Sequence, residues 1–231
     1  MEKVELSQRL KKVASFVKED EIILDIGSDH AYLPIYLVQE GKVSKAIAGE
    51  VVAGPFAKAQ EEIHRYDLSD HISTRLASGF DVIESNEEMG TVFICGMGGL
   101  LISEILEAGL KDDKIGPGTR LVLQPNNKEI DLRKLLMRAN YKIIDEAMIK
   151  ENEKFYEIIV AEKSEQKIGY TVEELTFGPY LMREQSAEFK EKWQGIYQNN
   201  QKIMKQLDQE EHKEKRMTLK AINEKIEKVV K

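Results

Sequence analysis

A single cysteine in 231 residues rules out an intramolecular disulfide framework and points to a reducing compartment. No apolar run is long enough to cross a bilayer, so a soluble, cytoplasmic protein with no membrane partner is expected. Metal motifs of the zinc or iron kind are missing: His64, His71 and His212 have no convergent ligand spacing and are expected on the solvated surface. Spacing gives no Ser-His-Asp arrangement, and no tandem repeat is visible. Positive charge is also short. With 34 Lys/Arg against 41 Asp/Glu the formal net charge is -7, which argues mildly against a nucleic-acid partner. The shortage is local, however. Residues 164–231 carry 13 Lys/Arg and 12 Asp/Glu, so the acidic excess lies wholly before them.

What is present suits one substantial core with a small appendage: 42% of residues are hydrophobic and 32% charged. Leu6, Leu10, Val13, Ala14 and Val17 recur at helical spacing within Met1 to Lys18, which reads as an amphipathic helix rather than a signal peptide. Apolar runs then predict strands near 22–26, 46–50, 73–77, 91–95, 119–124, 141–147 and 155–161, in the rhythm of a parallel α/β sheet. Helices are expected from Leu33 or Pro34, over Pro55 to Tyr66, through Leu101, Ile105 and Leu106, and through Ile130, Leu132, Leu135, Leu136 and Met137. Only the short charged stretch from Met148 to Lys154 joins the last two strands, which predicts an antiparallel pair. Five parallel strands closed by such a hairpin form the mostly parallel, Rossmann-like sheet of class I methyltransferases, with the last strand antiparallel.

Composition changes after Lys163. Ser164 to Gly169 reads as a linker and Phe177-Gly178-Pro179 as a turn into a long helix. Phe189, Trp193, Ile196, Asn200, Ile203 and Leu207 follow alternating steps of four and three, a coiled-coil seam with one polar position. Register is lost across Asp208 to Lys215 and resumes at Leu219, Ile222, Ile226 and Val229. Two such seams predict an antiparallel hairpin closing on itself in a monomer, with a coiled-coil dimer as the alternative. The domains are therefore read as 1–163 and 164–231.

The most informative stretch is Leu24-Asp25-Ile26-Gly27-Ser28-Asp29-His30-Ala31-Tyr32-Leu33-Pro34, an apolar strand that breaks into a small polar loop. Gly27 permits a close ligand approach, and Glu50, about twenty residues on at the tip of the second strand, is placed to accept ribose hydroxyls. The loop lacks the glycine pattern that cradles a pyrophosphate. Asp29 and Ala31 stand there instead, and a carboxylate repels a pyrophosphate but attracts the ammonium of a methionine-like group. S-adenosylmethionine is favoured over NAD or FAD on that ground. After the fourth strand, Cys95-Gly96-Met97-Gly98-Gly99 gives a bare loop able to approach a flat base, with Gly98 or Gly99 opening the next helix. Cys95 reads as a packing residue, because methyl transfer from a sulfonium needs no covalent enzyme step. Asn126 either meets the Watson-Crick edge of a base or is simply a turn residue after Pro125. His30 either touches a ligand or makes an orienting hydrogen bond.

Together these segments resemble the bacterial tRNA (adenine(22)-N(1))-methyltransferase family, TrmK. The resemblance runs through Ser7-Gln8-Arg9-Leu10, Asp25 to Pro34, Ala48-Gly49-Glu50-Val51, Cys95 to Gly99, Leu123-Gln124-Pro125-Asn126 and Phe177-Gly178-Pro179. It implies a class I catalytic domain, a coiled-coil domain that contacts tRNA, S-adenosylmethionine as donor, and N1 of an adenine in the tRNA core as acceptor. Carried onto this sequence, the donor-binding residues are Asp25, Gly27, Ser28, Asp29, His30, Glu50, Val51, Gly79, Phe80, Cys95, Gly96 and Met97. Ser78 joins them where such enzymes often carry an acid against the adenine of the donor. Arg9, Tyr32, Gly98, Gly99 and Asn126 are the substrate residues, and Asp29, His30 and Asn126 stand nearest the chemistry. Arg9, Lys11, Lys12, Lys202, Lys205, Lys213, Lys215 and Lys220 either grip phosphates or form a solvated helical face. Two other readings compete: a methyltransferase of small molecules or proteins, suggested by the acidic front part, and a non-enzymatic RNA-binding module that kept the fold.

Overall fold

A computed structural model describes residues 3–84, 87–208 and 212–230. Among the described residues, seven strands form one sheet: β1 (Ile23–Ile26), β2 (Ala46–Glu50), β3 (Ile72–Leu76), β4 (Thr91–Met97), β5 (Arg120–Pro125), β6 (Tyr141–Glu151) and β7 (Lys154–Lys163). Their order is β3-β2-β1-β4-β5-β7-β6. The first five pair in parallel, whereas β7 runs antiparallel to both β5 and β6. β1 and β4 are side by side although β2 and β3 separate them in sequence, so the chain reverses its direction of travel at that seam. The crevice beyond their carboxyl ends is where an open α/β sheet binds ligands.

Nine helices accompany the sheet among the described residues: α1 (Gln8–Ala14), α2 (Tyr32–Gln39), α3 (Ala53–Arg65), α4 (Gly99–Lys111), α5 (Glu129–Arg138), α6 (Val172–Phe177), α7 (Leu181–Glu184), α8 (Ala187–Gln206) and α9 (Lys213–Val229). Two apolar layers cover the two faces of the sheet. One gathers Leu24, Ile94, Ile102, Leu106 and Leu132, and the other Ile23, Ile35, Ala59, Phe93 and Val122. Ile23 and Leu24 point to opposite layers, so both faces are dry and β1 is apolar without a polar face. None of the described helices is long and apolar enough to cross a membrane.

The first helix is shorter than the periodicity suggests. Ser7 caps it by accepting from the Leu10 N–H at 3.2 Å, while Val4 and Leu6 bury their side chains ahead of it. Helical spacing of apolar residues thus arises partly from an extended segment, and residues 1–2 of the expected helix lie outside the described ones. α2 opens at Tyr32, which puts Pro34 in its first turn, where a missing N–H costs no hydrogen bond.

The C-terminal hairpin forms within the chain. Gln185 reaches the Val229 carbonyl, Asn200 Nδ2 donates to Asn223 Oδ1 at 2.9 Å, and Arg216 reaches the Met204 carbonyl, a sequence of contacts that makes α8 and α9 antiparallel. Residues 209–211, in the break between the seams, lie outside the described residues. The base of the hairpin is anchored on the sheet through Met148, Phe177, Phe189 and Trp193. Beneath it lies a buried ionic cluster that the sequence did not reveal. Arg133 of α5 pairs with Glu146 of β6 at 2.7 Å and with Glu157 of β7 at 2.5 Å, and Lys192 of α8 meets the other oxygen of Glu157 at 2.6 Å. Burial pushes the Glu157 carboxyl up, but Arg133 and Lys192 outweigh it and hold the group below its usual range. For Glu146 burial wins over Arg133, and its carboxyl is raised.

Candidate functional site

At the tip of β1 the buried Asp25 carboxylate accepts from Ser28 Oγ at 2.7 Å. Gly27 follows at φ +71°, a conformation glycine adopts without strain. Then three consecutive non-glycine residues take left-handed backbone: Asp29 at +39°, His30 at +67° and Ala31 at +59°. Such torsions persist only where surrounding contacts enforce them, and they cluster at working sites. One enforcing contact is visible. The Asp29 N–H donates to Glu50 Oε1 at 2.8 Å, tying the loop to the end of β2.

Asp25 is raised to about 7, chiefly by burial, with the charges of Glu50 and Asp29 adding and the Ser28 hydrogen bond opposing. Glu50 is raised as well, again mainly by burial and against the Asp29 N–H. Asp25 and Asp29 in the crevice, with Glu50 close by, favour a cation there. Both aspartates line the crevice, but they differ in exposure: the side chain of Asp29, the residue expected to attract an ammonium, is 90% exposed, whereas Asp25 is buried.

The crevice is a cleft of about 410 Å³ that gathers Arg9, Asp25, Gly27, Ser28, Asp29, Tyr32, Cys95, Gly96, Met97 and Asn126 from the expected set. Its size is that of a small-ligand pocket. A Cβ on Gly27 would lie 2.1 Å from Met97 Cε, so the close approach that Gly27 allows is made by the flexible tip of Met97. Cys95 is half-buried, and burial raises its thiol, leaving it protonated and consistent with a packing role.

Other expected residues sit elsewhere. Glu50 and His30 do not line this cleft: Glu50 braces the loop from behind, and His30 stacks on Tyr32 with centroids 5.3 Å apart. Val51 is exposed at the end of β2. Ser78 and Gly79 border a separate depression of about 220 Å³ with Leu101 and Ile105. Phe80 borders it too, but its ring is buried against Gly109. Packing requires glycine at position 99, since a Cβ there would lie 2.5 Å from the Asn127 carbonyl oxygen; Gly98 precedes it as the cap of α4. His64 and His71 are exposed, whereas His212 encloses its Nδ1.

Sequence reasoning missed Tyr156, which lines the cleft, and Gln124, which lies behind it. Gln124, fully buried, accepts from Arg9 Nη1 and donates through Nε2 to Asn126 Oδ1 at 3.1 Å. Tyr156 of β7 lies under the Arg9 guanidinium, 5.3 Å from carbon to ring centroid. Tyr156 and Asn126 also line a second, wider cleft of about 700 Å³ with Lys154, Phe155, Lys192 and Trp193. The two clefts therefore meet at Asn126, just past β5, and Tyr156 of β7.

Comparison with known proteins agrees with this geometry. The sequence profile described as TrmK: tRNA (adenine(22)-N(1))-methyltransferase matches residues 23–231. The tRNA (adenine(22)-N(1))-methyltransferase of Bacillus subtilis (strain 168) is 41% identical over 213 residues, covering 90% of this chain and 88% of that protein. A Streptococcus pneumoniae protein solved in complex with S-adenosyl-L-methionine superposes with a TM-score of 0.89 at 40% identity, covering 98% of this chain and 100% of that one. M. capricolum TrmK, solved with S-adenosyl-homocysteine, superposes with a TM-score of 0.85 at 29% identity, covering 96% of each chain. With a profile match over nearly its whole length and a relative at that identity and coverage, the chain belongs to the TrmK family of tRNA (adenine(22)-N(1))-methyltransferases.

Proposed function

We propose that this protein transfers a methyl group from S-adenosylmethionine to N1 of adenine 22 in tRNA, with residues 1–163 as the catalytic domain and residues 164–231 as a coiled-coil domain that contacts the tRNA. The observation that carries this reading is the buried Asp25 at the β1–β4 seam, lining a ligand-sized cleft that shares residues with a wider one. Relatives solved with S-adenosylmethionine and with its product support the choice of donor.

Asp25 holds the donor's ammonium, with Ser28 Oγ orienting the carboxylate, and Asp29 adds negative charge at the rim. Glu50 keeps the loop in its left-handed form, and for it to accept the ribose hydroxyls the sugar must extend beyond the cleft toward the end of β2. Bound in this cleft, S-adenosylmethionine supplies an electrophilic methyl group on a sulfonium. Adenine N1 carries an in-plane lone pair, so no residue has to remove a proton before attack. The protein's work is alignment and exclusion of water. Because N1 is ordinarily paired or stacked, the nucleotide is turned out at a cost of a few kcal/mol, offset by contacts in the wide cleft.

Lys202, Lys205, Lys213, Lys215 and Lys220 are exposed along α8 and α9, as phosphate contacts require. The seam between these helices is closed inside one chain by Asn200, Asn223 and Ile226, which supports a monomer. A cytoplasmic location follows from tRNA as substrate. The test is transfer of labelled methyl to tRNA from cells lacking the enzyme. Transfer to small molecules or proteins instead, surviving deletion of residues 170–231, contradicts the tRNA reading, and failure to bind S-adenosylhomocysteine contradicts a donor site altogether.

A further inference from the structure

Arg9, Gln124, Asn126 and the Gly96 carbonyl form a one-directional chain of hydrogen bonds between α1 and the tips of β5 and β4. A guanidinium only donates, so the Gln124 oxygen must face Arg9. That turns Gln124 Nε2 toward the Pro125 carbonyl at 2.9 Å and Asn126 Oδ1 at 3.1 Å. Asn126 Nδ2 is then left to donate to the Gly96 carbonyl at 2.6 Å. Carbonyls only accept, so both ends of the chain demand the same orientation of both amides. Gln124 is fully buried and Arg9 packs over Tyr156, while Asn126 is exposed where the two clefts meet.

We propose that Arg9 and Gln124 act as positioning residues that fix the polarity of the Asn126 amide, so that its carbonyl oxygen receives the exocyclic amino group of a 6-aminopurine entering from the wide cleft. The proposal rests on the methyl-transfer reading above. The amide oxygen has two lone pairs, and Gln124 uses one. A free asparagine pairs with adenine through both its groups, and its N–H would then occupy the N1 lone pair that must attack the methyl. Tethering the amide nitrogen to the Gly96 carbonyl through one of its two hydrogens holds that nitrogen away from N1, while the oxygen still recognises the amino group. A 6-oxopurine meets oxygen with oxygen at the same place and carries a proton on N1, so it is rejected twice. Arg9, read from sequence as a substrate residue that either grips a phosphate or lies on a solvated helical face, instead donates to Gln124 and packs over Tyr156.

The test compares synthetic tRNA carrying adenosine or purine riboside, which lacks the 6-amino group, at the acceptor position. Wild type, Arg9→Met, Arg9→Lys and Gln124→Glu are measured for kcat/KM, with titration of S-adenosylhomocysteine as a check on folding and on the donor site. Purine riboside is intrinsically less reactive, so the readout is the change in preference between variants. Arg9→Met keeps an apolar stem over Tyr156 but loses the donor, and Gln124→Glu cannot donate to Asn126. Both should reduce the preference for adenosine by about tenfold, the size of one hydrogen bond, with Arg9→Lys restoring most of it and product affinity within about twofold of wild type. Equal slowing of both substrates, with the preference unchanged in Arg9→Met, overturns the proposal and leaves a structural role. Absence of methylation of adenosine tRNA by the wild type defeats the functional reading itself, a separate result.

Discussion

If Asp25 holds the donor's ammonium as proposed, it couples stability to function at the scale of one residue. A carboxyl raised to about 7 keeps its proton in the folded state after the unfolded chain has released it, so its stabilising contribution is complete at low pH and is lost between about pH 4 and about pH 7. Asp25→Asn cannot ionise. From pH 5 to pH 8 the wild type should therefore lose on the order of 2 to 3 kcal/mol more than the variant, as read by urea denaturation at the two pH values. Equal losses would show that Asp25 does not titrate in this window. The same substitution should weaken S-adenosylhomocysteine binding at least about tenfold in calorimetry, because a neutral amide gives up the charge that an ammonium needs. Unchanged affinity would return the ammonium to Asp29.

Among elements, the hairpin shows what pattern can and cannot disclose. The seam from Phe189 to Leu207 was legible because apolar residues recur with the helical period, and Asn200 stood out as its polar interruption. Its partner Asn223 was not, since it lies beside Ile222 on a second helix and only the antiparallel fold brings the two amides together. Asn200→Leu leaves Asn223 buried without its partner and should cost about 1 to 3 kcal/mol in urea denaturation. Adding Asn223→Leu should recover most of that loss; additive losses would show that the amides do not act as a pair. The same reasoning explains the ionic cluster. Arg133, Glu146, Glu157 and Lys192 come from α5, β6, β7 and α8, and no local period marks residues that meet only through the tertiary fold. Lys192→Ala strips a buried carboxylate of one cation and should destabilise by about 3 kcal/mol, a larger effect than any exposed lysine on the same helix.

For the molecule as a whole, strand succession and the final hairpin were readable from apolar runs and the brevity of their last connection. The loop after β1 was readable from its sequence as a break from the strand, but its three left-handed residues were not, because no residue type there demands such torsions and the Glu50 contact enforces them from another strand. Gln124 and Tyr156 escaped for a similar reason: each carries an ordinary strand pattern, and only the sheet order places both beside Arg9. At this scale an acidic front part is joined to a lysine-bearing hairpin. If the exposed Lys202 and Lys205 meet phosphates, replacing both by alanine should weaken tRNA binding and flatten its salt dependence by about two units of slope, with donor affinity unchanged. A salt dependence identical to wild type would place the tRNA on another surface. The account turns on which atom receives the methyl group. Reacted tRNA, digested to nucleosides and fragments and read by mass spectrometry, should contain 1-methyladenosine confined to position 22. Methylation of another base, of another atom of adenine, or of many adenines alike would contradict it.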